Sequence, residues 1–138
     1  MLGRDVRAAV VAHARAAAPN ECCGLLLGLG EDIVEAVRAR NAADDPLTRF
    51  LVEPQDHFDG RRAARERGLD VVGFYHSHPG SPAEPSARDI AEFSYAGCLY
   101  LIVSLRVEPA EIGLFQFAHG TFQRLPIVTG RSTSRDDA

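Results

Sequence analysis

Three short apolar runs constrain this chain more than anything else in it: Cys22-Cys23-Gly24-Leu25-Leu26-Leu27-Gly28, Val71-Val72-Gly73-Phe74-Tyr75 and Cys98-Leu99-Tyr100-Leu101-Ile102-Val103. Each has the length of a strand and is far too short to span a membrane. Their apolar character is continuous rather than alternating. A strand of that kind is buried on both faces, so the sheet they form must be covered on both sides.

The cover comes from stretches with helical periodicity. From Arg4 to Ala18, Val6, Val10, Val11 and several alanines recur at helical spacing until Pro19-Asn20 stops the pattern. Gln55 to Arg67 carries Ala63, Ala64, Arg65 and Glu66 before Gly68 caps it, and Ser86 to Ala96 opens on an N-cap serine with Ile90 and Phe93 on one face. Weaker strand signals lie at Ile33–Ala39, Arg49–Val52, Glu111–Ala118 and Thr121–Leu125, the last two joined at His119-Gly120. This order predicts an α/β fold, a mixed β-sheet flanked by helices. The 138 residues suit one domain, 1–128, followed by a polar, aperiodic tail, 129–138, expected to be flexible.

A net charge of -4 and a pI near 5.7 argue against a nucleic-acid binder that relies on a basic surface. No apolar run approaches the roughly 18 residues of a membrane span and no leader pattern opens the chain, so a cytoplasmic protein is expected. Cys22, Cys23 and Cys98 form no CxxC pair and are read as reduced, mostly buried thiols.

The stretch after the second run departs from ordinary scaffold. His76 and His78 sit two apart at the carboxyl end of that strand, on one face and about 7 Å apart at Cα. They can converge on one ion, with Asp89 arriving from the next element as an oxygen ligand. Three protein ligands and one open position describe a catalytic zinc site. Asp89 also suits the positive end of a helix, and Ser86 suits an N-cap, so each residue has a structural reading beside the functional one. His13, His57 and His119 are read as packing or surface residues.

Glu21, then His76-Ser77-His78-Pro79, then Ser86 and Asp89 resembles the JAMM, or MPN+, metallopeptidases, whose pattern is Glu, a long gap, His-Ser/Thr-His, seven residues, Ser, two residues, Asp. Residues 79–85 supply the seven, and Ala87-Arg88 the two. Glu21 to Gly28 looks like that family's catalytic-glutamate strand, and Tyr100 to Ser104 like its strand after the site. The resemblance implies the JAMM/MPN, cytidine-deaminase-like fold. It implies one Zn2+ with a bound water, held by His76, His78 and Asp89, with Glu21 as general acid/base and Ser86 as oxyanion stabiliser.

The resemblance further implies a peptidase or isopeptidase that cuts after the carboxyl-terminal Gly-Gly of a ubiquitin-like or sulfur-carrier protein, for example to release cysteine. The expected partner is that carrier tail, with no nucleic acid or membrane. Two rivals share parts of the pattern. One is a RadC-like DNA-repair-associated protein, and the other a non-enzymatic module that binds carrier tails around a structural zinc. The absence of a PCxxC motif argues against a base deaminase.

Overall fold

The computed structural model describes residues 1–87, 89 and 97–130. Among these, eight strands form a single mixed sheet: β1 (Leu2–Gly3), β2 (Cys23–Leu29), β3 (Asp32–Ala39), β4 (Asp70–His78), β5 (Leu99–Ser104), β6 (Glu111–Ala118), β7 (Thr121–Leu125) and β8 (Thr129–Gly130). Their spatial order is β7-β6-β5-β4-β2-β3-β1-β8. The β4–β5, β1–β3 and β1–β8 pairs are parallel and the others antiparallel. All three apolar runs become strands, and they are neighbours at the middle of the sheet.

Alternation along these strands divides their side chains between two cores. Leu26, Tyr75, Leu101 and Val103 face one side, where α1 (Arg4–Ala17) covers them with Val6, Val10 and Ala14. Leu25, Leu27, Phe74, Tyr100 and Ile102 face the other, where α2 (Pro54–Glu66) adds Ala64. Full burial of each large side chain stabilises by roughly 1.5–3 kcal/mol, so the central strands hold most of the driving force.

The ends of α2 follow from local chemistry. Glu53 caps it by accepting from the Asp56 amide at 2.9 Å, and Pro54 opens the first turn, where a missing N–H costs nothing. At the other end Gly68 has φ of 73°. It donates to the Arg65 carbonyl while Leu69 donates to Ala64, the paired closure that needs a left-handed residue.

Two segments differ from the sequence reading. β4 runs on through His78 instead of stopping at Tyr75, so both histidines are strand residues. Arg49–Val52 is not a strand, since only an isolated bridge joins Val52 to Asn41. The Asn41 side chain holds that loop instead. Its amide donates to the Glu21 and Arg49 carbonyls, both at 2.9 Å, and its oxygen accepts from Ala43 at 3.0 Å and Leu51 at 3.1 Å. Most of the helix expected over Ser86–Ala96, and residues 131–138 of the tail, lie outside the described residues. Thr129–Gly130, assigned to the tail by composition, pair with β1.

Among the described residues, no helix is long and apolar enough to cross a membrane. Close strand approach makes one glycine critical. Gly73 lies on β4 between Leu26 and Leu99, and a Cβ there would sit 2.0 Å from the Leu99 carbonyl oxygen. Gly73→Ala is therefore expected to destabilise by about 1–3 kcal/mol, read as a lower urea midpoint at unchanged slope.

Candidate metal centre

The site lies where β4 ends. His76 and His78, on the same face of that strand, bring their Nε2 atoms to 3.1 Å, and Asp89 Oδ2 lies 3.1 Å from each. All three residues are buried, at 2%, 2% and 6% exposure. Among the described residues this is the one cluster of three or more His, Cys, Asp or Glu side chains with converging ligand atoms.

Each donor is aimed by a second contact. His78 Nδ1 lies 2.7 Å from the Pro82 carbonyl, which can only accept, so Nδ1 carries the proton and Nε2 presents its lone pair to the cluster. Asp89 Oδ2 accepts from the Ser86 amide at 2.9 Å, while the Asp89 amide donates to Ser86 Oγ at 3.0 Å. Ser86 Oγ thus makes the bond of an N-cap serine, accepting from the amide three residues on. His76 stacks against Phe50, with centroids 4.2 Å apart and planes 20° apart.

Glu21 reaches the same place from β2. Cys23 opposes His76, and this antiparallel register continues as Cys22 with Ser77: the Ser77 amide donates to the Cys22 carbonyl at 3.1 Å, and the Cys22 amide donates to Ser77 Oγ at 2.8 Å. One further step sets Glu21 beside His78. The glutamate is buried, its amide donates to the Pro46 carbonyl at 2.8 Å, and its own carbonyl accepts from Asn41. All five residues of the sequence pattern meet at one end of the sheet. Asn41, Phe50 and the Pro82 carbonyl also shape the site, but no spacing in the sequence marks them. Asn41 and Pro82 look like ordinary loop residues, and Phe50 sits in a run that reads as a strand.

The donor set fits zinc. Two imidazole nitrogens and one carboxylate oxygen form a borderline-soft set, and a tetrahedral ion at about 2.0–2.1 Å from each separates its ligands by about 3.3 Å, close to the 3.1 Å edges observed. Protonation suits it at His76 and Asp89, while at His78 the Asp89 carboxylate and the Pro82 carbonyl outweigh burial and hold the imidazole above its ordinary value, so an ion displaces that proton on binding. Burial pushes the His76 imidazole below its ordinary value, which keeps it neutral. Burial opposes charge on Asp89, but the two imidazoles beside it and the hydrogen bond from the Ser86 amide outweigh it and hold the carboxyl below its usual range. A neutral imidazole and an ionised carboxylate are the forms that ligate.

The remaining titratable candidates stand apart from this chemistry. Cys22 belongs to the core under α1, and Cys23 packs with Ala39 and Phe50, so the two face opposite sides. Burial pushes their thiols up to about 11 and about 12 respectively, which leaves them unreactive near neutral pH. Cys98 is also unpaired. His57 packs edge-on to Phe74, and His119 forms the β6–β7 turn at φ of 54°.

The family model described as "Prokaryotic homologs of the JAB domain" matches residues 3–118. A desampylase from Haloferax volcanii is 37% identical over 75% of this chain and 78% of its own length. A probable TtuB-protein conjugate cleaving protease from Thermus thermophilus is 38% identical over 59% of this chain, a match that spans 54% of that protein. A CysO-cysteine peptidase from Mycobacterium tuberculosis is 32% identical over 74% of this chain and 70% of its own. Among solved structures, a protein from Desulfitobacterium hafniense superposes with a TM-score of 0.86 at 28% identity, covering 97% of this chain and 96% of that one. A JAB1/MPN domain protein from Archaeoglobus fulgidus shares the fold, with a TM-score of 0.62 at 18% identity and 94% of each chain covered.

His13 is a structural residue rather than a ligand. Its Nδ1 lies 2.6 Å from the Tyr75 hydroxyl, and burial, helped by Arg38, lowers its pKa to about 4. The unfolded chain then binds a proton that the folded chain does not between about pH 6.5 and 4, so the contribution of His13 is present above 6.5 and is lost as pH falls through that window. Because the ring is only half buried, the effect is expected to be on the order of 1 kcal/mol. Urea unfolding across that window should show a shallower acid slope in His13→Asn than in wild type.

Proposed function

The chain belongs to the family of prokaryotic homologues of the JAB domain, and from that membership we propose that it is a zinc-dependent peptidase acting on the amide bond after the carboxyl-terminal Gly-Gly of a ubiquitin-like or sulfur-carrier protein. One observation carries this reading: two imidazole nitrogens and a carboxylate oxygen converge at 3.1 Å, with the buried carboxylate residue Glu21 one ladder step away on the neighbouring strand.

In this reading His76, His78 and Asp89 hold the ion. When bound, zinc supplies Lewis-acid polarisation of the scissile carbonyl and makes a water acidic enough to ionise near neutral pH. Glu21 takes the proton from the attacking water and returns it to the leaving nitrogen, the transfer without which an amine is too poor a leaving group. The Ser86 hydroxyl, anchored by accepting from the Asp89 amide, donates to the carbonyl oxygen as it gains negative charge.

Relatives named for cleaving a protein conjugate and for acting on CysO-cysteine support both the substrate class and the hydrolytic chemistry. The same relatives favour the peptidase over a RadC-like role in DNA repair, as does the acidic balance of the chain. A carrier-binding module with structural zinc would have no use for a buried carboxylate residue beside the three ligands. A cytoplasmic location agrees with the three unpaired thiols, which a reducing compartment preserves.

Glu21→Gln is expected to keep stoichiometric zinc and lose about 10²–10⁴-fold in turnover of a carrier extended beyond Gly-Gly, with products identified by mass. Wild-type turnover by this variant would refute the assignment. His78→Ala is expected to lose zinc on dialysis together with activity, and Ser86→Ala to lose about 10²–10³-fold in turnover with zinc retained.

A further inference from the structure

We propose that Ser104 and Gly113 are positioning residues for the ligand His78, acting through the strap of residues 79–85 that carries the Pro82 carbonyl. The proposal rests on the reading of His76, His78 and Asp89 as the metal centre and deepens it, since neither residue belongs to the ligand and acid/base pattern.

The strap leaves β4 at His78 and must turn back to deliver its carbonyl to the ring it has just left. Three contacts hold it. His78 Nδ1 donates to the Pro82 carbonyl at 2.7 Å. One residue earlier, the Ser104 hydroxyl donates to the Ser81 carbonyl at 2.6 Å, while Ser104 Oγ accepts from the Arg106 amide at 3.1 Å. One residue later, the Ala83 carbonyl lies against Gly113 of β6, where a Cβ would stand 2.4 Å from that oxygen. The acceptor for His78 is therefore bracketed on both sides by fixed points on β5 and β6.

Ser104 is well placed for this. It is the register partner of His78 in the parallel β4–β5 pair, so the two side chains emerge on the same side of the sheet. The Leu105 amide adds a bond to the His78 carbonyl at 3.1 Å. Ser104 is fully buried and its hydroxyl is satisfied as both donor and acceptor, which fixes its rotamer. The strap also needs directional anchors. On its outer side Pro82, Ala83 and Glu84 border an open cleft of about 500 Å3 that Arg106 and Glu111 also line, so the described residues leave that side of it uncovered.

The consequence concerns which nitrogen of His78 is protonated. With the Pro82 carbonyl in place, the proton stays on Nδ1 and the Nε2 lone pair faces His76 and Asp89. If the strap lifts, Nδ1 loses its acceptor, and Asp89 Oδ2 at 3.1 Å draws the proton to Nε2, where it opposes the metal.

Wild type, Ser104→Ala, Ser104→Thr, Gly113→Ala and His78→Ala should be compared for zinc affinity by competition with a chromophoric chelator. The metal-free proteins should be compared by imidazole 15N spectra at slightly alkaline pH. Ser104→Ala and Gly113→Ala are expected to weaken zinc about 10–100-fold and to shift His78 from the Nδ1–H toward the Nε2–H tautomer. Ser104→Thr, which keeps the hydroxyl, is expected to behave like wild type in both. Should Gly113→Ala fail to fold, Ser104→Ala alone decides. Wild-type zinc affinity and an unchanged His78 spectrum in Ser104→Ala would overturn the proposal. Wild-type protein that binds zinc no better than His78→Ala would refute the metal centre instead, and the tautomer spectra would still decide on Ser104.

Discussion

The register of β2 against β4 is the constraint on which the site depends, because Glu21 and the two histidines come from strands that meet only through that ladder. Strand side chains alternate with a period of two, so a slip of one residue would turn Glu21 away from His78 and at the same time move Leu25, Leu26 and Leu27 into the wrong cores. The hydrophobic pattern that folds the protein thus enforces the placement of Glu21 beside His78. The bonds between Cys22 and Ser77 fix the last step before Glu21, where the ladder would otherwise fray.

A buried group of two imidazoles and a carboxylate is costly to assemble, and the structure offsets that cost locally. The Pro82 carbonyl, the Ser86 amide and the face of Phe50 each meet one of the three donors from outside the cluster. These contacts aim the donors and shield them from water, and unaimed groups in so dry a place would adjust their protonation instead. Stability and chemistry are served by the same few groups, all held by loops tied to the sheet.

How much of this was legible in the sequence can be argued from particular residues. The central strands and both described helices were, because continuous apolar runs and helical periodicity report burial directly. So was the five-residue pattern, because ligand chemistry limits which residue types can appear at those positions. The Asn41 loop was misread: Arg49–Val52 has the composition of a strand, but the side chain of one asparagine satisfies the backbone groups that a partner strand would have taken. The two-residue strands Leu2–Gly3 and Thr129–Gly130 were also invisible, since two residues carry no periodicity and their pairing joins opposite ends of the chain. Phe50, Ser104 and Gly113 act through geometry, which no spacing encodes.

The strand directions divide the molecule into two unlike rims. β2 begins, and β3, β4 and β5 end, on the side where Glu21, His76, His78 and Ser104 gather, and the long connections 40–53 and 79–98 leave from that side. Among the described residues, the opposite rim holds tight turns at Gly30, Gly68 and His119-Gly120, the entry to β5 at Gly97, and the amino terminus bonded to the Glu31 carbonyl. Length added at those turns would leave the ladder and its reactive end untouched. One border of the sheet is committed to chemistry, and the other is where this scaffold can be extended, labelled or joined to something else.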